Sequence, residues 1–243
     1  MLHASMGEPE SALETLSERI ASVRQRIEAA AQRSNRLPEE ITLIAISKTH
    51  PAELLRSALA LGVTDLGENR VQEAEGKIVE LGRAAARWHL VGHLQSNKTR
   101  RAVQLFDCIH SLDSVSLAQR LDRLCITEGR AELRVLIQID LGGEATKTGI
   151  DPQQLPELLA ALGELQRLRL IGLMTLPPFF ENADCGRPYF KTLRGLRDKL
   201  QREGRFGERP GELSMGMSHD FEIAIEEGAT MVRVGTAIFG VRG

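Results

Sequence analysis

Short apolar runs alternate with helix-spaced apolar stretches along nearly the whole chain. The strand-like runs are Ile41–Ser47, Asp65–Gly67, Arg87–Val91, Cys108–Ser111, Leu133–Asp140, Leu168–Met174, Glu212–Met215 and Met231–Gly235. Between them, Ala52–Leu61, Arg70–Leu81, Ser114–Glu128, Pro152–Leu165 and Tyr189–Arg202 repeat apolar residues every three or four positions, the period of a helix with one buried face. Strands alternating with helices predict a parallel sheet, and we read eight strands as an α/β fold of one closed (β/α)8 TIM barrel. The second and seventh runs are short and contain Gly or Ser. An open doubly wound sheet is the competing architecture, but no glycine-rich dinucleotide fingerprint follows the first strand. Ahead of the barrel, Leu13, Leu16, Ile20, Val23 and Ile27 lie at helical spacing among charges, predicting an extra N-terminal helix over Ser11–Ser34. Asn35-Arg36-Leu37-Pro38 stops it. Residues 1–10 read as a flexible leader, and 11–243 as a single domain.

The length of 243 residues suits one barrel, which typically takes about 250. A net charge of −2 without a basic patch, and 4% aromatic residues, argue against nucleic acid as a partner. Cys108, Cys125 and Cys185 are odd in number and lack metal-ligand spacing, so we expect no metal and a reducing, cytoplasmic setting. Met1–Pro9 lacks the basic and apolar regions of a secretory signal, and no apolar run is long enough to span a membrane.

Polar residues cluster just after the strands: Lys48-Thr49-His50, Gly67-Glu68-Asn69, Gly92–Lys98, Met174-Thr175, Ser214–Ser218 and Gly235-Thr236. In a parallel barrel these segments converge on one rim, the end that carries active sites. Lys48 ends an apolar strand, where a low-dielectric wall disfavours charge and leaves an amine able to attack an aldehyde. The competing reading is a lysine that snorkels to solvent. The amides of Gly235 and Thr236 open a helical turn after the last strand and suit a phosphate, with hydroxyls of Ser214, Thr236 and Ser218 as further contacts. Otherwise these residues are turn geometry and helix caps. Alternation places Arg233 on the same face as Gly235; if that face is inward, the guanidinium needs an acceptor, and Glu222, Glu226 or Glu227 are candidates for a structural ion pair. On the third strand only one of Trp88 and His89 faces inward; we take His89, as a hydrogen-bonded core histidine. Met174, Met215 and Met217 read as packing.

Taken together, LIAISKTHP (43–51), GENRVQE (67–73), WHLVGHLQSNK (88–98), GLMTLPP (172–178) and LSMGMSHDFEIAIEEGATMVRVGTAIFG (213–240) resemble the pyridoxal phosphate homeostasis protein family, itself similar to the N-terminal barrel domain of alanine racemases. The resemblance covers about Ile41 to Gly240 and implies the fold-type III class of pyridoxal 5′-phosphate (PLP) proteins. It implies that Lys48 holds PLP as a Schiff base, that Ser214 and the Gly235-Thr236 turn contact its phosphate, and that Arg233 faces the pyridine nitrogen. Asn69 is implied as a rim residue near the cofactor. His219 and His93 stand at positions where the pattern differs or varies, away from the residues that carry the cofactor argument.

The implied role is vitamin B6 homeostasis without catalytic turnover, with PLP-requiring apo-enzymes as candidate recipients. An arginine at the pyridine nitrogen can only donate, leaving the ring a weaker electron sink than a carboxylate partner would. Racemases of similar fold take a second acid/base, a tyrosine, from a further domain. The sequence as given closes at Gly243, and its one tyrosine, Tyr189, falls in a predicted helix. A PLP-dependent amino-acid racemase is therefore the alternative, and a sugar-phosphate aldolase using Lys48 a third. We expect a monomer.

Overall fold

The computed structural model describes residues 8–143 and 148–240. Within them eight parallel strands pair in chain order and close, β1 (Thr42–Ile46) lying against β8 (Met231–Val234). The ring is completed by β2 (Asp65–Glu68), β3 (Arg87–Leu90), β4 (Cys108–Leu112), β5 (Leu133–Gln138), β6 (Leu168–Met174) and β7 (Glu212–Met217). Each lies where the alternation placed it, with ends displaced by at most two residues. Closure rules out the open sheet.

Around the ring run α2 (Ala52–Ala60), α3 (Val71–Leu81), α4 (Thr99–Leu105), α5 (Val115–Thr127), α6 (Leu155–Glu164), α7 (Arg187–Arg202), α8 (Phe221–Glu226) and α9 (Thr236–Phe239). Two apolar layers result. Trp88, Phe106, Phe190 and Phe221 pack between strands and helices, while Ile44, Ile46, Val91, Cys108, Leu136, Met174 and Met231 form a smaller cluster of their own. His89 is buried and bonded to other strands' side chains while Trp88 joins the outer layer, as alternation along β3 requires.

The first helix, α1 (Glu8–Arg33), starts before the predicted Ser11, so the leader does not extend to Glu10. Pro9 lies in its first turn, where a missing N–H loses no helical bond. The remainder of the leader, 1–7, is outside the described residues. Leu16, Ile20, Val23 and Ile27 are buried, each contributing roughly 1.5–3 kcal/mol. The helix packs on α8, α9 and α2, across the seam where first and last strands meet. Arg26 makes a two-point bond to Glu222 (3.0 and 2.7 Å) and Arg24 donates to the carbonyls of Leu61 and Gly62. Among the described residues no helix is long and apolar enough to cross a membrane.

Candidate cofactor site

The carboxyl ends of β1, β2, β3, β6, β7 and β8 surround a cavity of about 530 Å³. It brings together Lys48, Asn69, Ser218, Arg233, Gly235 and Thr236, six of the seven residues singled out above. Ile46, Val91, Leu176, Pro177 and Phe179 give it apolar walls.

Lys48 leaves β1 in a tight turn closed by the His50 amide donating to the Ser47 carbonyl at 3.1 Å. Thr49 takes a left-handed φ of 67°, costly for a β-branched residue, and its amide donates to Glu73. Beneath the turn, the Lys77 ammonium donates to the Ser47 carbonyl (2.6 Å), Glu68 (2.5 Å) and Glu73 (2.9 Å). The Ser47 hydroxyl donates to the same Glu68 oxygen at 2.6 Å. Burial raises the Glu68 carboxyl above its ordinary range against the pull of Lys77 and Ser47. The backbone on both sides of Lys48 is thus held from α3, and the side chain projects into the cavity half-buried. Asn69 is fixed differently: Gly92 lies so close that a Cβ there would sit 2.3 Å from the Asn69 carbonyl oxygen.

On the opposite wall, β7 carries an irregularity between Ser214 and Met217, with Gly216 at φ 91°. A side chain there would strike Ala224 and Phe221, so the position requires glycine. The irregularity delivers Ser218 to the rim, where its oxygen accepts from the amides of Gly235 (3.2 Å) and Ala237 (3.3 Å). Two backbone donors therefore converge on one oxygen where α9 begins.

Arg233 is buried, and its guanidinium donates to the Ser214 hydroxyl (2.7 Å) and the Thr175 carbonyl (2.9 Å). Burial brings it down to about 10, with Asp220 opposing. The acids expected as partners are elsewhere: Glu222 pairs with Arg26, Glu226 with Arg33 and Arg187, and Glu227 with Arg187 and Arg194. They sit on the helical layer, on the far side of β8 from Arg233. Among the described residues no carboxylate pairs with Arg233.

Ser214 is the site residue that the structure places differently. It is fully buried, does not line the cavity, and its hydroxyl is occupied by Arg233 and by His110 (2.9 Å). It supports the arginine from beneath. Met217 is likewise not internal packing but part-exposed on the cavity wall. His219 also lines the cavity, contrary to expectation; its Nε2 lies 3.1 Å from the Phe180 and Glu181 carbonyls, and its ring meets Phe179. Tyr189, in α7, stacks on Phe180 outside the cavity. Sequence reasoning missed His110, Lys77 and Glu73. Two-residue alternation from Cys108 would have put His110 inside the ring, and the four-residue spacing of Glu73 and Lys77 pairs them on one helical face.

His89, Cys108 and His110 place ligand-type atoms within 4.8 Å of one another. Both nitrogens of each imidazole are already hydrogen-bonded, and burial pushes the Cys108 thiol up.

Comparison with known proteins adds to this geometry. The family described as "Alanine racemase, N-terminal domain" matches residues 19–243. The pyridoxal phosphate homeostasis protein of Aquifex aeolicus is 44% identical over 225 residues, covering 93% of this chain and 97% of that one. PipY of Synechococcus elongatus, solved without PLP, is 42% identical with a TM-score of 0.81, covering 93% of this chain and all of PipY. The same protein solved with PLP bound gives 41% identity and a TM-score of 0.80.

Proposed function

The chain belongs to the pyridoxal phosphate homeostasis protein family, and from that premise we propose that it binds PLP and serves in its homeostasis without turnover. One observation carries the site assignment: Arg233, a buried guanidinium, faces a cavity with only neutral oxygens as partners. Leaving a buried cation without an anion is costly, and a phosphorylated heteroaromatic ligand supplies both an acceptor and negative charge.

The residues present fit that ligand. The Gly235 and Ala237 amides, now meeting at the Ser218 oxygen, form a cradle for phosphate, and the Ser218 hydroxyl can turn to donate. Thr236 adds a second hydroxyl at the rim. Arg233 would donate toward the pyridine nitrogen and favour its unprotonated form, since a guanidinium does not give up its proton. Lys48 offers its amine from the other wall, and Asn69 borders the mouth between them. With PLP bound, the Lys48 amine would be the group placed to condense with its aldehyde, with loss of water. Ile46, Val91 and Leu176 keep the enclosed part of the cavity apolar.

Among the described residues the ionisable side chains lining the cavity are Lys48, Arg233 and His219. Arg233 cannot act as a base, and the His219 Nε2 is turned to two carbonyls. This supports a holder of PLP over a racemase, which requires acid/base groups on both faces of its substrate. The test is borohydride reduction of PLP-treated protein followed by peptide mass spectrometry. A pyridoxyl adduct on Lys48, absent from Lys48→Ala, is expected; a protein that takes up no PLP would end the proposal. Exchange of the alanine α-proton in deuterated water at enzymatic rates would favour the racemase.

A further inference from the structure

A continuous line of hydrogen bonds crosses the barrel interior from the start of β2 to Arg233. Asp65 Oδ1 lies 2.9 Å from His89 Nε2, and His89 Nδ1 lies 2.9 Å from His110 Nε2. His110 Nδ1 is 2.9 Å from the Ser214 oxygen, which accepts from Arg233 at 2.7 Å. Asp65, His89, His110, Ser214 and Arg233 are all nearly or fully buried. At its outer end Asp65 is gripped by Arg87 through two bonds of 2.8 and 2.6 Å and by the Thr64 hydroxyl at 2.7 Å.

The two ends dictate the direction of every proton between them. Asp65 is an anion, so His89 presents N–H at Nε2 and a lone pair at Nδ1. His110 must then donate from Nε2 and accept at Nδ1, where only the Ser214 hydroxyl can donate. That leaves the Ser214 oxygen with its lone pairs free to accept, and Arg233 supplies the donor. With all donors pointing from Arg233 toward Asp65, no bond in the line is frustrated while both imidazoles are neutral. Adding one proton to either ring reverses the donors up to Ser214, whose hydroxyl must then find another acceptor. The charged and titratable groups facing the pair are Asp65, Arg87 behind it, Cys108 and Arg233. Burial, with the neighbouring His89 and Arg233, drives His110 well below the ordinary imidazole range.

We propose that Asp65, His89 and His110 are positioning residues for Arg233: they fix Ser214 as a permanent acceptor and so hold the guanidinium in one orientation at the cavity floor. The consequence for PLP rests on the function proposed above; the tautomer assignment does not.

Nitrogen-15 NMR of the imidazoles in ligand-free protein tests the assignment directly, with His110→Gln and His89→Gln identifying the resonances. Both rings are expected to carry a single proton, at Nε2, across roughly pH 6 to 8. An Nδ1–H tautomer at His110, or an imidazolium in that range, would overturn the proposal whether or not PLP binds. A second arm reads the cavity through PLP affinity and the absorption spectrum of the bound chromophore. His110→Phe breaks the line and is expected to weaken binding about tenfold and shift the band. His110→Gln keeps one donor and one acceptor and is expected to restore both. A folded His110→Phe protein with parental affinity and spectrum would refute the positioning role; should that variant not fold, the NMR result alone decides. Parent protein that binds no PLP but shows the expected tautomers would sink the function and leave the relay standing.

Discussion

Among the described residues two long cationic side chains, Lys77 and Arg233, are buried, and they are housed in opposite ways. Lys77, on α3, touches Glu68 at 2.5 Å, Glu73 at 2.9 Å and the Ser47 carbonyl at 2.6 Å. Arg233, on β8, touches a hydroxyl and a carbonyl, and no carboxylate among the described residues. In the low-dielectric interior a cation matched by carboxylates has its electrostatic capacity spent, whereas one held by dipoles retains most of it. Lys77 is therefore part of the scaffold under Lys48. On the proposed function, Arg233 is the cation left for the ligand. Burial alone does not separate them; partner chemistry does.

The comparison breaks if the two respond alike to removal. Lys77→Met leaves Glu68 and Glu73 without their cation and should cost about 3–5 kcal/mol of unfolding free energy by denaturant titration. A loss below about 1 kcal/mol would show the cluster to be dispensable. Arg233→Met removes a cation with no ion pair, so ligand-free stability should change by less than about 1 kcal/mol. PLP affinity, followed by absorbance titration, should meanwhile fall about a hundredfold, the worth of a charge-assisted bond near 3 kcal/mol. Equal destabilisation by both substitutions would erase the distinction.

Acid titration sharpens it. Burial would raise the Asp65 carboxyl, but bonds from His89, Arg87 and Thr64 outweigh it and bring it to about 2 from an ordinary 3.8. A depressed carboxylate stabilises the fold above its unfolded value and loses that contribution as pH falls through the folded one. The loss, about 2 kcal/mol, should appear between about pH 4 and pH 2 and vanish in Asp65→Asn. Glu68 is shifted the other way, so its ionisation weakens the fold as pH rises past its ordinary value. The smallest expected effect is at Thr49. Thr49→Gly relieves a left-handed β-branched residue and should add up to about 1 kcal/mol of stability, measured as a raised melting temperature.

The strands were legible as short apolar runs set between helix-spaced stretches, including the short β2 and the irregular β7. Lys48, Asn69, Ser218, Arg233, Gly235 and Thr236 were legible for a related reason: each follows or ends a strand, and a parallel barrel sends all strand ends to one mouth. What the sequence concealed depends on closure. The bond between His110 and Ser214 joins residues 104 positions apart, across a ring whose register no local pattern announces. Ser214 accordingly read as a ligand contact when it is the support of Arg233. Lys77 was hidden because a lysine on an amphipathic helix is ordinarily solvated, and its buried partners Ser47 and Glu68, on other segments, draw it inward. The helices α4 and α8, seven and six residues long, are too short to display a period.

The pairing of β1 with β8, which sets Ile44 opposite Arg233, has a consequence for how the protein is made. On the ribosome Lys48 emerges well before the strand bearing Arg233 and the Gly235 turn. A nascent chain thus exposes the amine long before it owns the opposing wall, and the two meet only when β8 docks on β1. On the proposed function, a chain released before β8 is made carries the amine without the wall that would help to hold its ligand.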